Sequence, residues 1–187
     1  MRALGYVNFD IKTRGVNLRN ILDAVRYKRG REGLNRIKTI LEKECKINTN
    51  QLVEKEWYPL WYEFALLECA CTLDTKPDSR EVLENAAYIG LRGAEDIGIL
   101  KFFVKFTMTP NELAEKSKND WRHFYTGGEF VVHKNTPGEI ICAISGFPYF
   151  EIYEHNILGF LKGVLRLTGV KNGNVEIIGR YKYRCTW

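Results

Sequence analysis

The spacing of apolar residues changes along the chain, and this change constrains the fold more than any other sequence feature. From Asn17 to Tyr125 the apolar residues recur mostly every three or four positions, which predicts amphipathic helices. From residue 129 onward, stretches rich in β-branched and aromatic residues predict strands, with one more helix between them over Glu151–Leu167. Because the helices come first and the strands follow, the order predicts an α+β fold rather than alternating βαβ units.

The helical part divides at glycine and proline residues. Two helices are predicted on either side of Gly30, and a buried helix is predicted from Pro59 to Leu73, where proline is tolerated in the first turn. Asp78 or Ser79 is expected to cap the next helix, and Gly93 is expected to break it. The helical part is therefore expected to be a set of short, separately capped segments.

The strongest local signal is the sequence Thr109-Pro110-Asn111-Glu112. Threonine as N-cap, proline at the first helical position and glutamate at the third form a capping box, which predicts a helix start. We expect this helix to continue through Tyr125 and to end at Gly127-Gly128. A hairpin should follow it, with strands over 129–134 and 139–146.

The charge is +5 over 187 residues and is unevenly placed. Between Lys12 and Lys38 there are nine lysines and arginines against two acids. This basic segment could contact nucleic acid, an acidic partner or an anionic membrane, or it could be a solvated helix face. No specific nucleic-acid motif accompanies it. We expect one domain over residues 1–187, with residues 1–50 as its basic helical N-terminal segment.

The five cysteines are odd in number, scattered and never spaced as Cys-x-x-Cys, which predicts reduced thiols rather than a disulfide framework or zinc site. Cys69 and Cys71 lie in a predicted helix, where positions two apart point about 200° from each other. These two thiols are therefore not expected to chelate one ion together.

No apolar run approaches the ~18 residues that a membrane span requires. The longest aliphatic run, Ile140–Ile144, has five residues, and the N-terminus shows no secretory signal. Together with the reduced thiols, these features lead us to expect a soluble, cytoplasmic protein.

Motifs of the common enzyme classes are absent from the sequence. It has no Gly-x-Gly-x-x-Gly fingerprint, no Walker-type phosphate loop and no Gly-x-Ser-x-Gly elbow. The three histidines lack the spacings that present two metal ligands from one element. We therefore expect a protein that is not an enzyme and has no metal site.

Aromatic residues concentrate in the predicted helices and at the junction between helices and sheet. Such a cluster either fills the core or lines a cavity for an apolar ligand. The residues expected to line a ligand pocket are Trp61, Phe103, Trp121, Phe124 and Phe160. His123 lies in the same region and is the candidate ligand if the domain holds haem.

Several short motifs, taken in order, resemble a known family. Over residues 52–187 the chain resembles an uncharacterised bacterial family abundant in myxobacteria. That family is similar to the superfamily of haem-nitric-oxide-binding sensors, vinyl-reductase-like (4VR) domains and TRAPP vesicle-tethering subunits. The matching motifs are Trp57-Tyr58-Pro59, Leu91-Arg92-Gly93, Trp121-Arg122-His123-Phe124-Tyr125, Gly128-Glu129, Gly146-Phe147-Pro148, Gly159, Gly163, Gly169 and Tyr183-Arg184-Cys185-Thr186-Trp187.

The resemblance implies a helical bundle packed on a twisted antiparallel sheet. The haem-binding branch holds the haem propionates with Tyr-x-Ser-x-Arg, and the matching positions here are Ala143, Ser145 and Phe147. Because the phenol and the guanidinium are missing, we expect no cofactor. The 4VR branch often has a cysteine-rich zinc cluster where this chain has Cys185 alone, and the TRAPP branch implies a homodimer.

These observations lead to one principal hypothesis and two alternatives. The principal hypothesis is a non-enzymatic sensory domain that holds a small apolar molecule between helices and sheet and signals through protein association. The first alternative is a dimeric interaction scaffold without a ligand, acting through its dimer interface or its basic segment. The second is a haem-based gas sensor.

Overall fold

The computed structural model describes residues 1–77, 79–96 and 108–187. Within these ranges no helix is long and apolar enough to cross a membrane. The α-helices are α1 (Gly15–Cys45), α2 (Leu60–Thr72), α3 (Arg80–Asp96), α4 (Pro110–Asp120) and α5 (Glu151–Leu167). The strands are β1 (Lys12–Arg14), β2 (Trp57–Pro59), β3 (Glu129–Thr136), β4 (Glu139–Ser145), β5 (Asn174–Gly179) and β6 (Lys182–Thr186).

The strands form two antiparallel sheets. The larger sheet has the order β3-β4-β6-β5, and β1 pairs with β2 in the smaller one. Alternate residues of β4, namely Ile140, Cys142 and Ile144, are buried together with Tyr183 and Cys185 of β6. This buried face packs in the same core as the helices, so the α+β prediction is confirmed.

The predictions based on caps and periodicity are confirmed for several helices. The helix predicted from Pro59 to Leu73 is α2, and the one predicted over Glu151–Leu167 is α5. Thr109 and Glu112 form the expected reciprocal capping box at the start of α4. The two opening helices are the halves of α1, which is kinked at Gly30, where φ is 66°.

Other predictions of element boundaries are wrong. Helix α3 continues through Gly93 to Asp96, because one glycine inside a helix costs only about 1 kcal/mol relative to alanine. Helix α4 ends at Asp120, and a 3-10 turn over residues 121–123 follows where a continuous helix was expected. Strands β1 and β2 were not predicted. The possible cap Asp78 lies outside the described residues.

Close contact between α3 and α5 depends on small residues. A Cβ atom added to Gly159 of α5 would overlap the Ala87 carbonyl of α3, and one added to Gly90 would overlap the Asn156 carbonyl. The two helix backbones therefore touch directly. This contact fixes the position of α5, which links the helices to the sheet.

The variants Gly159→Ala and Gly93→Ala should change stability in opposite directions. Gly159→Ala should lower the free energy of unfolding by about 1–3 kcal/mol or more, because its methyl group overlaps a carbonyl group. Gly93→Ala should raise it by about 0.5–1 kcal/mol, because no described atom lies within 4 Å of the added methyl group. Urea denaturation measures both, and equal effects would contradict this account of the helix contact.

Candidate functional site

A cavity of about 180 Å³ lies between the helices and the larger sheet. Its wall is mostly apolar, with a few amide, hydroxyl and carboxyl groups. Among the described residues that line it are Asn17, Ile21, Glu63, Ile89, Leu113, Ala114, Trp121, Phe124, Tyr125, Phe130, Ile140, Cys142, Ile144, Ile157, Phe160, Val164 and Cys185. A concave, mostly apolar space with a few polar groups is the usual setting of a small-molecule site.

Three of the predicted pocket residues line this cavity, namely Trp121, Phe124 and Phe160. Trp61 does not; it is half-buried on α2, with its ring edge-on to Tyr62 at 4.6 Å between centroids. Phe103 lies outside the described residues. That any of these residues binds a ligand remains a prediction.

The aromatic part of the wall is held rigidly. The Trp121 ring stacks on Tyr125 with 4.4 Å between centroids, and Phe147 lies edge-on to both rings. The Trp121 indole N–H donates to the Gly127 carbonyl at 3.1 Å. Because α4 gives way to a 3-10 turn at Trp121, the indole comes from a short turn braced by its neighbours.

A buried chain of polar groups enters the cavity wall at Glu63. The Thr13 hydroxyl donates to one carboxyl oxygen of Glu63 at 2.5 Å, and the Tyr125 hydroxyl donates to the other at 3.0 Å. The Tyr153 hydroxyl donates to Tyr125 at 2.9 Å, and the Asn17 amide donates to Thr13 at 3.1 Å. Strand β1 brings Thr13 to this position, where its side chain is fully buried.

Burial sets the protonation of this polar chain. Desolvation raises the pKa of Glu63 to about 7, although hydrogen bonds from Thr13, Tyr125 and Asn17 oppose the rise. Burial also raises the pKa of Tyr125 and Tyr153 well above the usual value, so both phenols stay neutral near pH 7. The cavity wall therefore carries one carboxyl group that gains or loses its proton near neutral pH.

Sequence reasoning did not identify Glu63. A signal was present, because Glu63 interrupts the otherwise apolar first turns of α2, where a buried carboxyl group needs partners. Its partners come from residues 13 and 125, which are far away in sequence. Only the fold shows that they meet.

Two thiols form part of the cavity floor. Cys142 of β4 and Cys185 of β6 are both buried and both line the cavity. A hydrogen bond between the two thiols and burial raise the pKa of Cys142 far above its usual value. The Cys142 side chain is therefore an uncharged part of the floor.

The comparisons with known proteins place the fold. No family model matches the chain, and no curated protein matches it in sequence. A solved double variant of the Tt H-NOX domain covers 93% of the chain, with 94% of its own length matched, a TM-score of 0.67 and 12% identity. A K. algicida H-NOX variant in the Fe(II) unliganded state covers 92%, with 95% of its own length matched, a TM-score of 0.65 and 16% identity. The chain has the H-NOX fold.

A third H-NOX structure, an oxygen-binding domain related to soluble guanylate cyclases, covers 92% of the chain with 94% of its length matched, a TM-score of 0.66 and 11% identity. The expected relation to haem-nitric-oxide-binding domains is thus confirmed at the level of the fold. The myxobacterial family and the 4VR and TRAPP branches remain predictions.

The comparisons contradict the expectation of no cofactor. One solved structure that the chain resembles concerns the modulation of haem redox potential by protein-induced porphyrin distortion, and another concerns the function of haem distortion in the H-NOX family. Solved proteins with this fold thus include haem proteins, which overturns the expectation that was based on the missing propionate motif.

The described residues of this chain do not match a histidine-ligated haem. All three histidines lie in the described ranges, and none lines the cavity. His123, the candidate haem ligand, is exposed in the turn after α4. No lysine or arginine stands among the described lining residues to pair with propionates. Ser145, in the position of the propionate motif, is exposed and donates to Glu129 at 3.0 Å.

Proposed function

We propose that this chain is a non-enzymatic sensory domain that holds a small apolar molecule between its helices and its sheet. The observation that carries the proposal is the mostly apolar cavity of about 180 Å³ between the helices and the sheet. An apolar cavity of about 150 Å³ in a protein core is known to hold benzene or xenon. The proposed occupant is therefore uncharged and has about the size of a single aromatic ring.

The position of the cavity suggests how binding is transmitted. Its wall combines α1 and α3 with α4, α5 and the sheet, so an occupant touches both halves of the fold at once. A ligand that fits one packing of these elements better than another shifts their populations. In this proposal the chain acts as one domain and passes the shift on by association with a second copy or another protein.

The fold comparisons favour a second candidate, a haem-based gas sensor. H-NOX structures match more than nine-tenths of the chain, and some of them concern haem. The absence of a histidine from the described cavity wall distinguishes the two candidates. They also differ in colour, so one purification separates them.

The test is purification from cells supplied with a haem precursor, followed by visible absorption and native mass spectrometry. The first candidate predicts benzene binding in a ligand-observed NMR titration, and the second candidate predicts a Soret band. Ala114→Phe should lower the benzene affinity at least tenfold, because the new ring occupies the cavity. Asn119→Phe, at an exposed site on the same helix, is the matched control.

Two results would overturn the first candidate. A Soret band at one haem per chain would establish the second candidate instead. Benzene affinity unchanged by Ala114→Phe, in a variant with a wild-type circular dichroism spectrum, would show that the probe binds elsewhere.

A further inference from the structure

Three sulfur atoms meet outside the cavity, where the N-terminal segment crosses the ends of α1 and α2. Cys45 is the last residue of α1, and Cys69 lies in the last turn of α2. The Met1 sulfur lies 3.3 Å from the Cys45 sulfur and 4.0 Å from the Cys69 sulfur. We call Met1, Cys45 and Cys69 the sulfur cluster.

The fold holds the N-terminal segment over the two thiols. The Glu68 carboxylate accepts hydrogen bonds from the backbone N–H groups of Arg2 at 2.8 Å and Ala3 at 2.9 Å. Ala3 is fully buried, and the Tyr6 hydroxyl donates to the Tyr149 carbonyl at 2.5 Å. Met1 is therefore positioned by contacts of the residues that follow it.

We propose that the sulfur cluster binds one Cu(I) ion through two cysteine thiolates and one methionine thioether. Thiolate and thioether sulfurs are the soft ligands that select Cu(I) over Mg²⁺, Ca²⁺ or Mn²⁺. A trigonal ion with metal–sulfur bonds of about 2.3 Å places its ligands about 4 Å apart. The Met1–Cys69 sulfur separation of 4.0 Å has this value, whereas the Met1–Cys45 separation of 3.3 Å has to widen by several tenths of an ångström when the ion binds.

Access suits an ion at the cluster. The two cysteines are 7% and 5% exposed, whereas Met1 is 39% exposed, so an ion can enter from the side of the thioether. The carboxylates of Glu44 and Glu68 act electrostatically on both thiols and favour a cation, whereas the N-terminal ammonium group, which also acts on both, and Arg2, which pairs with Glu68, oppose one. The sulfur donors, rather than the net charge, therefore carry the assignment.

The donor set does not suit zinc. Structural zinc sites have four ligands drawn from cysteine, histidine and carboxylate groups. In the described part of the chain no group of three or more such residues gathers around a common point. The third donor here is a thioether, which singles out a softer ion.

Binding exchanges protons for the ion without any redox change. Burial raises the pKa of both thiols, that of Cys69 to about 12, so both carry protons near neutral pH. Each thiolate–copper bond forms as one thiol proton leaves for solvent, and the thioether adds its lone pair. Two protons are released, copper remains Cu(I), and the affinity should increase with pH.

The test is an anaerobic Cu(I) titration of the purified chain against the chelator bathocuproine disulfonate. We expect one Cu(I) per chain, with the affinity lowered at least 100-fold by Cys45→Ser or Cys69→Ser. Cys71→Ser is the matched control, because Cys71 is equally buried but two positions further along α2. Its affinity should stay within threefold of wild type.

X-ray absorption of the wild-type protein with Cu(I) tests the donor set without any substitution. Three sulfur neighbours at one copper per chain are expected. Two sulfur neighbours, or nitrogen in the coordination shell, would overturn the assignment. So would an affinity that is unchanged in the Cys45→Ser Cys69→Ser double variant, or one that Cys71→Ser lowers equally.

Discussion

Replacing Glu63 with glutamine should remove about 3 kcal/mol of pH dependence from the free energy of unfolding between pH 4.5 and about 7. Burial raises the folded-state pKa of Glu63 from 4.5 to about 7. In that range the unfolded chain has lost the proton, whereas the folded protein still holds it. The stabilisation is therefore fully present below pH 4.5 and is lost as the pH rises to about 7.

The substitution keeps the shape of the side chain and removes its titration. The hydroxyl groups of Thr13 and Tyr125 donate hydrogen bonds to the two carboxyl oxygens of Glu63. The amide oxygen of glutamine can accept a hydrogen bond from either hydroxyl group. Tyr125 and Tyr153 remain neutral throughout this range, because burial raises the pKa of both phenols. The difference between wild type and variant, measured by urea denaturation at several pH values, thus isolates Glu63.

A second glutamate provides a control of opposite sign. Hydrogen bonds from Thr109 lower the pKa of the exposed Glu112 carboxylate in the capping box of α4. Its contribution to stability is present above the usual carboxyl pKa and is lost as the pH falls. Glu112→Gln should therefore lower the free energy of unfolding relative to wild type, and this loss should be larger at neutral pH than in acid. A Glu63→Gln profile parallel to wild type would contradict the burial argument.

The parts of the fold that were predicted from sequence are those with local causes. Helix α4 begins where Thr109 and Glu112 satisfy each other's backbone groups, and α5 follows from the spacing of its own apolar residues. Strands β1 and β2 have three residues each, and their pairing joins Lys12 to Pro59 across α1. Such a short strand carries almost no periodicity, so the sequence could not indicate it.

The candidate site was predicted only in its aromatic part. Aromatic residues near a junction of helices and sheet point to a cavity, but they do not tell which of them face it. Trp121 lines the cavity, whereas Trp61, which also lies in an aromatic stretch of the sequence, does not. The hydrogen-bonded chain joins Thr13, Glu63, Tyr125 and Tyr153, which lie far apart in the sequence. No local sequence pattern could therefore predict it.

The cofactor prediction was wrong for a related reason. It rested on three positions, Ala143, Ser145 and Phe147, and on what a short motif lacks. Solved structures with this fold concern haem, which the motif alone did not suggest. A short motif reports on the residues at one side of a cavity. The other walls of this cavity come from several helices, and the motif says nothing about what they bind.

Removing the Trp121 side chain should produce the largest loss of stability among substitutions in the cavity wall. Trp121→Ala should lower the free energy of unfolding by about 3–5 kcal/mol, because a buried indole and its stacking on Tyr125 are lost together. The Gly127 carbonyl also loses its indole donor. Trp61→Ala should cost less, because Trp61 is only half-buried.

The same pair of variants tests which tryptophan belongs to the site. Trp121→Ala enlarges the cavity, so it should bind naphthalene, a two-ring probe, at least tenfold more tightly than wild type does. Trp61→Ala should leave both benzene and naphthalene binding within twofold of wild type, because its ring lies outside the described cavity wall. Trp121→Phe, which keeps part of the ring contact, should be intermediate in stability. Equal changes in probe binding for Trp121→Ala and Trp61→Ala would show that the cavity between α4 and the sheet is not where the probe binds.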